Sequence, residues 1–213
     1  MRISSAGSAG IGERRVVPKL LRSLLLLLGV VLPLAGCGIN NIPNYSEQAK
    51  AAWAQVLNQY QRRSDLVPNL VATVKGAANF ETKTLQAVVE ARAKVGQMQL
   101  PPDILTNPQA MQAFEQNQGA LTSALSRLMV VVEQYPELKA NANFQTLQAQ
   151  LEGTENRIAV ARRDDIEAVR VYNPELHTIP GRWWAALLYP SSRDMAQFTI
   201  EDKAAAVPAV KFD

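Results

Sequence analysis

The strongest constraint on the fold is a series of mostly apolar residues, from residue 49 to residue 77, whose spacing places them in a stripe along one face of a helix. Successive members are alternately four and three residues apart, as on one face of a helix. The members are Ala49, Trp53, Val56, Tyr60, Arg63, Val67, Leu70, Val74 and Ala77. Because all but one are apolar or aromatic, the stripe predicts one long amphipathic helix that must bury this face against other helices.

Two more helical segments follow. The second, Glu81 to Gln97, carries a weaker stripe, and a kinked continuation of the first helix is the alternative. A proline-rich loop over residues 100–108 ends in Asn107-Pro108, a capping residue and a first-turn proline that predict the start of the third helix. The stripe of the second segment is Leu85, Val88, Arg92 and Val95. The stripe of the third segment, which Gln118 interrupts, is Phe114, Leu121, Leu125, Leu128, Val132 and Tyr135.

The fourth segment is expected from an N-cap at Asn143 to Tyr172. Its stripe uses Ile166 where a strict seven-residue repeat would use Asp165, so the pattern favours a globular bundle over an extended coiled coil. Ala, Gln, Leu and Val dominate the chain after the leader, which favours helix over sheet. The predicted fold class is all-α, an antiparallel four-helix bundle over residues 45–173 with an irregular C-terminal extension, residues 174–213, packed on it.

The N-terminus has the layout of a secretory signal peptide. Basic residues precede an apolar run from Leu24 to Leu32, and small residues follow it. The run is shorter than the roughly 20 residues that span a bilayer, so a transmembrane anchor is the strained alternative. Arg14 and Arg15 also match a twin-arginine export signal, but only loosely. We expect residues 1–36 to be removed.

The tetrapeptide Leu34-Ala35-Gly36-Cys37 resembles the lipobox of bacterial lipoproteins. The resemblance implies cleavage between Gly36 and Cys37, an S-diacylglycerol group on the Cys37 thiol and an acyl chain such as palmitate on its new amino group. Two or more chains give stable anchoring. Residues 37–44 would then be a lipidated tether, and Gly38 favours the outer membrane, facing the periplasm, in a host with two membranes.

Charge and rare residues exclude several function classes. The chain has 22 Lys and Arg against 19 Asp and Glu, but five of the former and one of the latter precede Cys37, which leaves a net charge of −1 from there on. Nucleic acid is therefore not an expected partner. One cysteine and one histidine leave no basis for a disulfide, a zinc site or a histidine cluster. No catalytic motif is present, so we predict no enzyme activity, cofactor or metal.

Two residues of the first stripe have predicted structural roles. A charged Arg63 on a buried face needs a partner, and we expect an interhelix salt bridge rather than a ligand site, with Glu152, Glu155, Asp164 and Asp165 as candidate partners. Pro68 predicts a tolerated kink or a new helix start capped by Asp65, with a functional hinge as the alternative.

Residues near the C-terminus also need interpretation. His177 is expected in a loop beyond Pro174, solvated or hydrogen-bonded rather than bound to a ligand. The adjacent Trp183 and Trp184 are expected to pack on the bundle, with exposure at a membrane interface as the alternative.

Three stretches together resemble the LemA family. They are "RRSDLVPNLVATVKG" from residue 62, "EQYPELKANANFQTLQAQLEGTENRIAVARR" from residue 133, and "PAVKF" from residue 208. The resemblance implies a membrane-associated helix bundle without an established biochemical activity. Two features depart from it: a lipid on Cys37 replaces the usual transmembrane helix, and Asp164 and Asp165 stand where the family usually has tyrosine and asparagine.

The functional expectation is a lipid-anchored, non-catalytic scaffold or interaction protein of the cell envelope, with an unidentified protein partner near the membrane. The alternative is a module that binds a lipid or a hydrophobic peptide in a groove near Pro68 or near Trp183 and Trp184. An apolar pocket of a few hundred cubic ångströms would favour this alternative.

Overall fold

Helices account for most of the described chain. A computed structural model describes residues 38–76 and 80–198, of which 80% are helical and none is in a strand. The elements are α1 (Asn41–Lys75), α2 (Thr82–Gln97), a 3₁₀ turn (Ile104–Thr106), α3 (Pro108–Val132), α4 (Pro136–Lys139), α5 (Ala142–His177) and α6 (Gly181–Leu187). The all-α prediction is confirmed.

The two longest helices, α1 and α5, pack along each other and run in opposite directions. Asn41, at the start of α1, donates a hydrogen bond to Glu175 near the end of α5, at 3.2 Å. Further along, Arg63 meets Glu155 at 3.0 Å. Residue numbers thus rise along one helix as they fall along the other. Helix α2 packs against both α1 and α3.

Three clusters of buried side chains fill the interior in order along α1. The near-end cluster lies where α1 begins and α5 ends, and the central cluster contains an aromatic group in which Phe114 lies edge-on to Trp53 and Tyr60, at centroid distances of 5.2 and 5.3 Å. The far-end cluster joins the second half of α1 to α2, α3 and the start of α5. The near-end cluster consists of Ile42, Ala49, Val169, Tyr172, Leu176 and Met195.

The stripe that predicts α1 is confirmed wherever the structure describes it, since all its members from Ala49 to Val74 are buried. The helix begins at Asn41, however, so residues 41–44 are helical and not part of a tether. Pro43 permits this early start because it lies in the first turn, where a backbone N–H has no helical acceptor.

The boundaries of α5 differ from those predicted. Its N-cap is Asn141, whose side chain accepts from the backbone N–H groups of Asn143 and Phe144 at 2.9 and 3.1 Å. The helix also continues through Pro174 to His177, so His177 is not a loop residue. Proline removes one donor this close to the helix end, and the last turn is kept because Leu176 is buried in the near-end cluster.

The buried face of α5 also differs from the predicted one. Ile166 is half-buried and packs against the central cluster, as predicted, but Asp165 is fully buried as well, which the prediction excluded. The buried residues Leu151, Ile158, Asp165 and Tyr172 are spaced seven apart, which is the spacing of a coiled-coil seam. Because α5 follows α1 over nearly its whole length, packing maintains the seven-residue register that a straight helix would lose.

The start of α3 follows the prediction, and the stripe of α2 departs from it only at Arg92. Asn107 caps α3 by accepting from the Ala110 N–H at 3.1 Å, with Pro108 as the first helical residue. The preceding loop contains the 3₁₀ turn and buries Ile104. In α2, Ala91 is buried and Arg92 is exposed, because the buried face steps by three after Val88.

Helix α1 is continuous through Pro68, so the predicted alternative of a new helix start there is wrong. Because Pro68 has no N–H, the Ser64 carbonyl four residues earlier lacks its normal helical donor. Arg92 of α2 fills this place, as its Nε donates to the Ser64 carbonyl at 3.3 Å. The proline thus creates an acceptor on α1 that attaches it to α2.

This arrangement predicts a coupling between Pro68 and Arg92. Arg92→Ala should lower the free energy of unfolding by about 1 kcal/mol, because it leaves a partly buried carbonyl without a donor. In the Pro68→Ala background, where the introduced alanine has an N–H that supplies the helical bond, the same change should cost much less. A double-mutant cycle by urea unfolding measures the difference. Equal costs in both backgrounds would show that the Arg92 bond does not compensate for the proline.

Candidate functional site

Several of the predicted site features lie outside the described residues. These are Cys37, the cleavage site after Gly36 and the C-terminal PAVKF segment. Within residues 38–76 and 80–198, no helix is long and apolar enough to cross a membrane. The same residues contain no group of three or more His, Cys, Asp or Glu side chains placed to hold a metal ion.

A buried arginine lies at the middle of the structure. Arg63 is 1% exposed and connects α1 to both α3 and α5. Its Nη1 donates to Thr122 Oγ1 at 2.7 Å and to the Glu155 carboxylate at 3.0 Å. Its Nη2 donates to the side-chain and backbone oxygens of Gln118, at 2.6 and 3.1 Å. The structure therefore brings Arg63 to Glu155, one of the four acidic residues that the sequence offered.

The rest of the network supports the same guanidinium. The Thr122 hydroxyl donates to the Gln118 carbonyl at 3.1 Å, and the guanidinium carbon lies 4.9 Å from the centre of the Tyr60 ring. Burial raises the pKa of Tyr60, which keeps this ring neutral. Among the described residues, Arg63 Nε has no acceptor. Bidentate and fork-like bonding of this kind depends on the planar guanidinium, which a lysine cannot reproduce.

The network predicts a large difference between two neighbouring arginines. Arg63→Met should lower the free energy of unfolding by about 2–4 kcal/mol, because the buried side-chain oxygen of Gln118 loses its donor and the Glu155 carboxylate loses its partner. Arg62→Met is the matched control: Arg62 is exposed and should tolerate the change. Guanidinium unfolding monitored by circular dichroism measures both, and Arg63→Lys should recover little of the loss. Similar stability of the two methionine variants would contradict the role of Arg63.

Two open grooves lie on either side of this network. One, of about 720 Å³, lies between α1, α2 and α3 and is lined by Tyr60, Ser64, Arg92 and Gln118 among others. The other, of about 530 Å³, lies between α3 and α5, and Thr122 and Glu155 line it. Partners of the same buried guanidinium therefore border both grooves.

Asp165 is, after Arg63, the second charged residue that is buried in the described part of the chain. It is fully buried, and neither carboxylate oxygen has a hydrogen-bond partner among the described residues. On α5 it lies one turn from Ala161 of the central cluster and one turn from Val169 of the near-end cluster. Burial raises its pKa from 3.8 to about 6, since an apolar environment disfavours the charged carboxylate. It does not pair with Arg63.

The raised pKa predicts how Asp165 affects stability. The folded state favours the protonated acid, so the contribution of Asp165 is most favourable below pH 4 and is lost as the pH rises through about 6. Asp165→Asn should therefore match the parent near pH 4 and exceed its unfolding free energy at pH 7 by on the order of 2 kcal/mol.

Asp164→Asn is the control for this comparison, because Asp164 is exposed. Urea unfolding of the three proteins between pH 4 and pH 7 gives the required free energies. An Asp165→Asn protein that is less stable than the parent at pH 7 would show that the carboxylate has a stabilising partner.

Helix α6 covers the near-end cluster. Trp184 packs against this cluster, as expected, but Trp183 is 60% exposed, so the expectation that both tryptophans pack is wrong for Trp183. Consecutive residues on a helix are about 100° apart, so Trp183 and Trp184 lie on different sides of α6. His177 is exposed, and its Nε2 lies 2.8 Å from the Asp194 carboxylate.

Sequence reasoning missed the role of Gln118. It appeared only as an interruption of the α3 stripe, whereas Arg63 on the α1 stripe was expected to need a partner. Two polar residues on apolar stripes of different helices are a signal that they meet, because each buried polar group needs a partner. Thr122 and Asp194 gave no comparable signal, since both lie outside the stripes.

Comparisons with known proteins bear on the family. The family model described as LemA family matches residues 52–212. Two curated relatives are magnetosome protein MamQ 2 and magnetosome protein MamQ 1 of Paramagnetospirillum magneticum, each 33% identical over 92 residues. These residues are 43% of this chain and 33% of each relative, so the chain matches about a third of the length of the curated relatives.

Proposed function

Because this chain belongs to the LemA family, we propose that it is a lipid-anchored, non-catalytic helical scaffold of the cell envelope. In this proposal residues 1–36 are removed, Cys37 carries the lipid, and the helical body presents surfaces to protein partners beside the membrane. In a host with two membranes, the protein would be anchored at the periplasmic face of the outer membrane. The four long helices form an antiparallel bundle, of which α1 and α5 are the longest pair.

The observation that carries the proposal is the position at which α1 begins. Asn41 is only four residues after Cys37, and Ile42 is already buried in the near-end cluster. The hydrogen bond from Asn41 to Glu175 fastens this first turn to the end of α5. An anchored cysteine would thus be connected to an ordered helical body almost directly, as suits a protein that displays a surface at a membrane.

The buried charge of Arg63 supports a structural interior. The guanidinium is occupied by bonds to Thr122, Gln118 and Glu155. A reacting group needs contact with substrate, whereas both terminal nitrogens of this guanidinium donate hydrogen bonds within the protein.

The alternative, a module that binds a lipid or hydrophobic peptide, has weaker support. The 720 Å³ groove has the required size, but Arg92 and the amide side chains of Asn58, Gln61, Gln97 and Gln118 line it. An apolar ligand would bury these polar groups, and it could not replace the hydrogen bonds that they make to water. A smaller groove of about 500 Å³ between α1 and α2 is more apolar, since Val71, Phe80, Leu85 and Val89 line it, and it is the place left for such a ligand.

Replacement of Cys37 tests the anchor. Cys37→Ser should abolish incorporation of labelled fatty acid, leave the leader uncleaved and change membrane fractionation, because the hydroxyl does not accept the diacylglycerol. Asn40→Ser is the control, since the Asn40 side chain makes no capping hydrogen bond. Mass spectrometry of the intact proteins reads out both the acyl chains and the cleavage site. Unchanged processing of Cys37→Ser would refute the lipid anchor.

A further inference from the structure

Helix α6 and the residues on either side of it expose a set of large apolar side chains. Ile179, Trp183, Leu187 and Leu188 are 66%, 60%, 73% and 46% exposed, and we call them the α6 face. Trp183 and Leu187 are one turn apart, so they lie on the same side of the helix. Neighbouring exposed apolar residues of this size mark contact surfaces more often than isolated ones do.

The opposite side of α6 is firmly packed. Trp184 and Ala185 contact the near-end cluster. Gly181 is buried so closely against α5 that a Cβ atom would lie 2.1 Å from the Glu175 carbonyl oxygen. The contact leaves no space for a side chain at position 181. Since α6 is held from within, the α6 face is fixed in an outward orientation.

The position of α6 relative to the start of the chain indicates what the face contacts. Glu175, against which Gly181 packs, also accepts the hydrogen bond from Asn41. Asn41 follows Cys37 by four residues, and an extended chain of that length covers at most about 14 Å. A lipid on Cys37 would therefore bring the bilayer to the end of the protein that carries the α6 face.

The charges beside the face suit a lipid surface. Arg182 and Arg193 are exposed and line a shallow cavity of about 540 Å³. Asp194 lines the same cavity but is hydrogen-bonded to His177. Arginine side chains near a bilayer contact headgroup phosphates, and tryptophan is enriched at the boundary between headgroups and acyl chains.

We infer that the α6 face enters the headgroup–acyl boundary of the bilayer that holds the lipid anchor. This inference rests on the proposed function, because the anchor on Cys37 selects the bilayer as the occupant. With both contacts, the body has a second attachment to the membrane that limits its rotation about the tether.

Quenching by brominated lipids tests the inference on the full mature protein. The chain has three tryptophans, so Trp53→Phe with Trp184→Phe leaves Trp183 as the only one. The protein is isolated with its anchor and reconstituted in phosphatidylcholine–phosphatidylglycerol vesicles that carry bromine near the headgroup end of the acyl chains. We expect Trp183 fluorescence to fall by about half. The matched protein that retains only Trp53, which is 6% exposed, should change little.

The outcomes separate this inference from the proposed function. Acyl chains in the mass spectrum with unquenched Trp183 would overturn the membrane contact and leave the anchor standing; the α6 face would then belong to residues 199–213, a second copy or a protein partner. Absence of acyl chains would refute the anchor, while quenching in the same vesicles would still decide whether Trp183 meets lipid. Trp183→Ser with Leu187→Ser should preserve the helical spectrum and melting temperature, since both side chains are exposed.

Discussion

The arrangement of the long helices depends on the hydrogen bonds of the buried Arg63 guanidinium. A buried arginine is unfavourable unless its donors are used, and here α3 supplies Thr122 and Gln118 while α5 supplies Glu155. Each of these oxygens lies at one position along its helix. A shift of α3 or α5 by one turn would move them about 5.4 Å and leave the charge without acceptors. Apolar stripes alone would tolerate such a shift more easily, so the polar group gives the helices a defined register.

The stripes were predictable because burial of helix faces follows residue spacing. The α1 stripe, the cap at Asn107 and the helical class could all be derived from the sequence. The burial of Asp165 could not be derived, because an acidic residue is not expected in a core unless the seven-residue register along α1 is already known. The end of α5 was predicted wrongly for a similar reason. Pro174 predicts a helix end from the local sequence, but the burial of Leu176 keeps the last turn helical.

The candidate site was less accessible to prediction than the fold. Arg63 was identified by its position on an apolar stripe, and Gln118 carried the same signal without being paired to it. The grooves depend on how far apart three helices lie, which no spacing along one helix reports. Trp183 and Trp184 were treated as a pair, although their adjacent positions on α6 direct them to opposite environments. Most inward-facing residues of α1 and α3 could be predicted from the sequence, but which inward residues contact each other could not.

The length of α1 sets the distance between the near end of the helical body, where the chain enters it, and the far end. With 35 residues, the helix is about 52 Å long, and its first residue is four positions from Cys37. The far-end cluster, with α4 and the turn into α5, therefore lies tens of ångströms from the near end along the α1 axis. For a body attached at one end by a lipid, as proposed, this length is a fixed distance between the attached end and the far-end cluster.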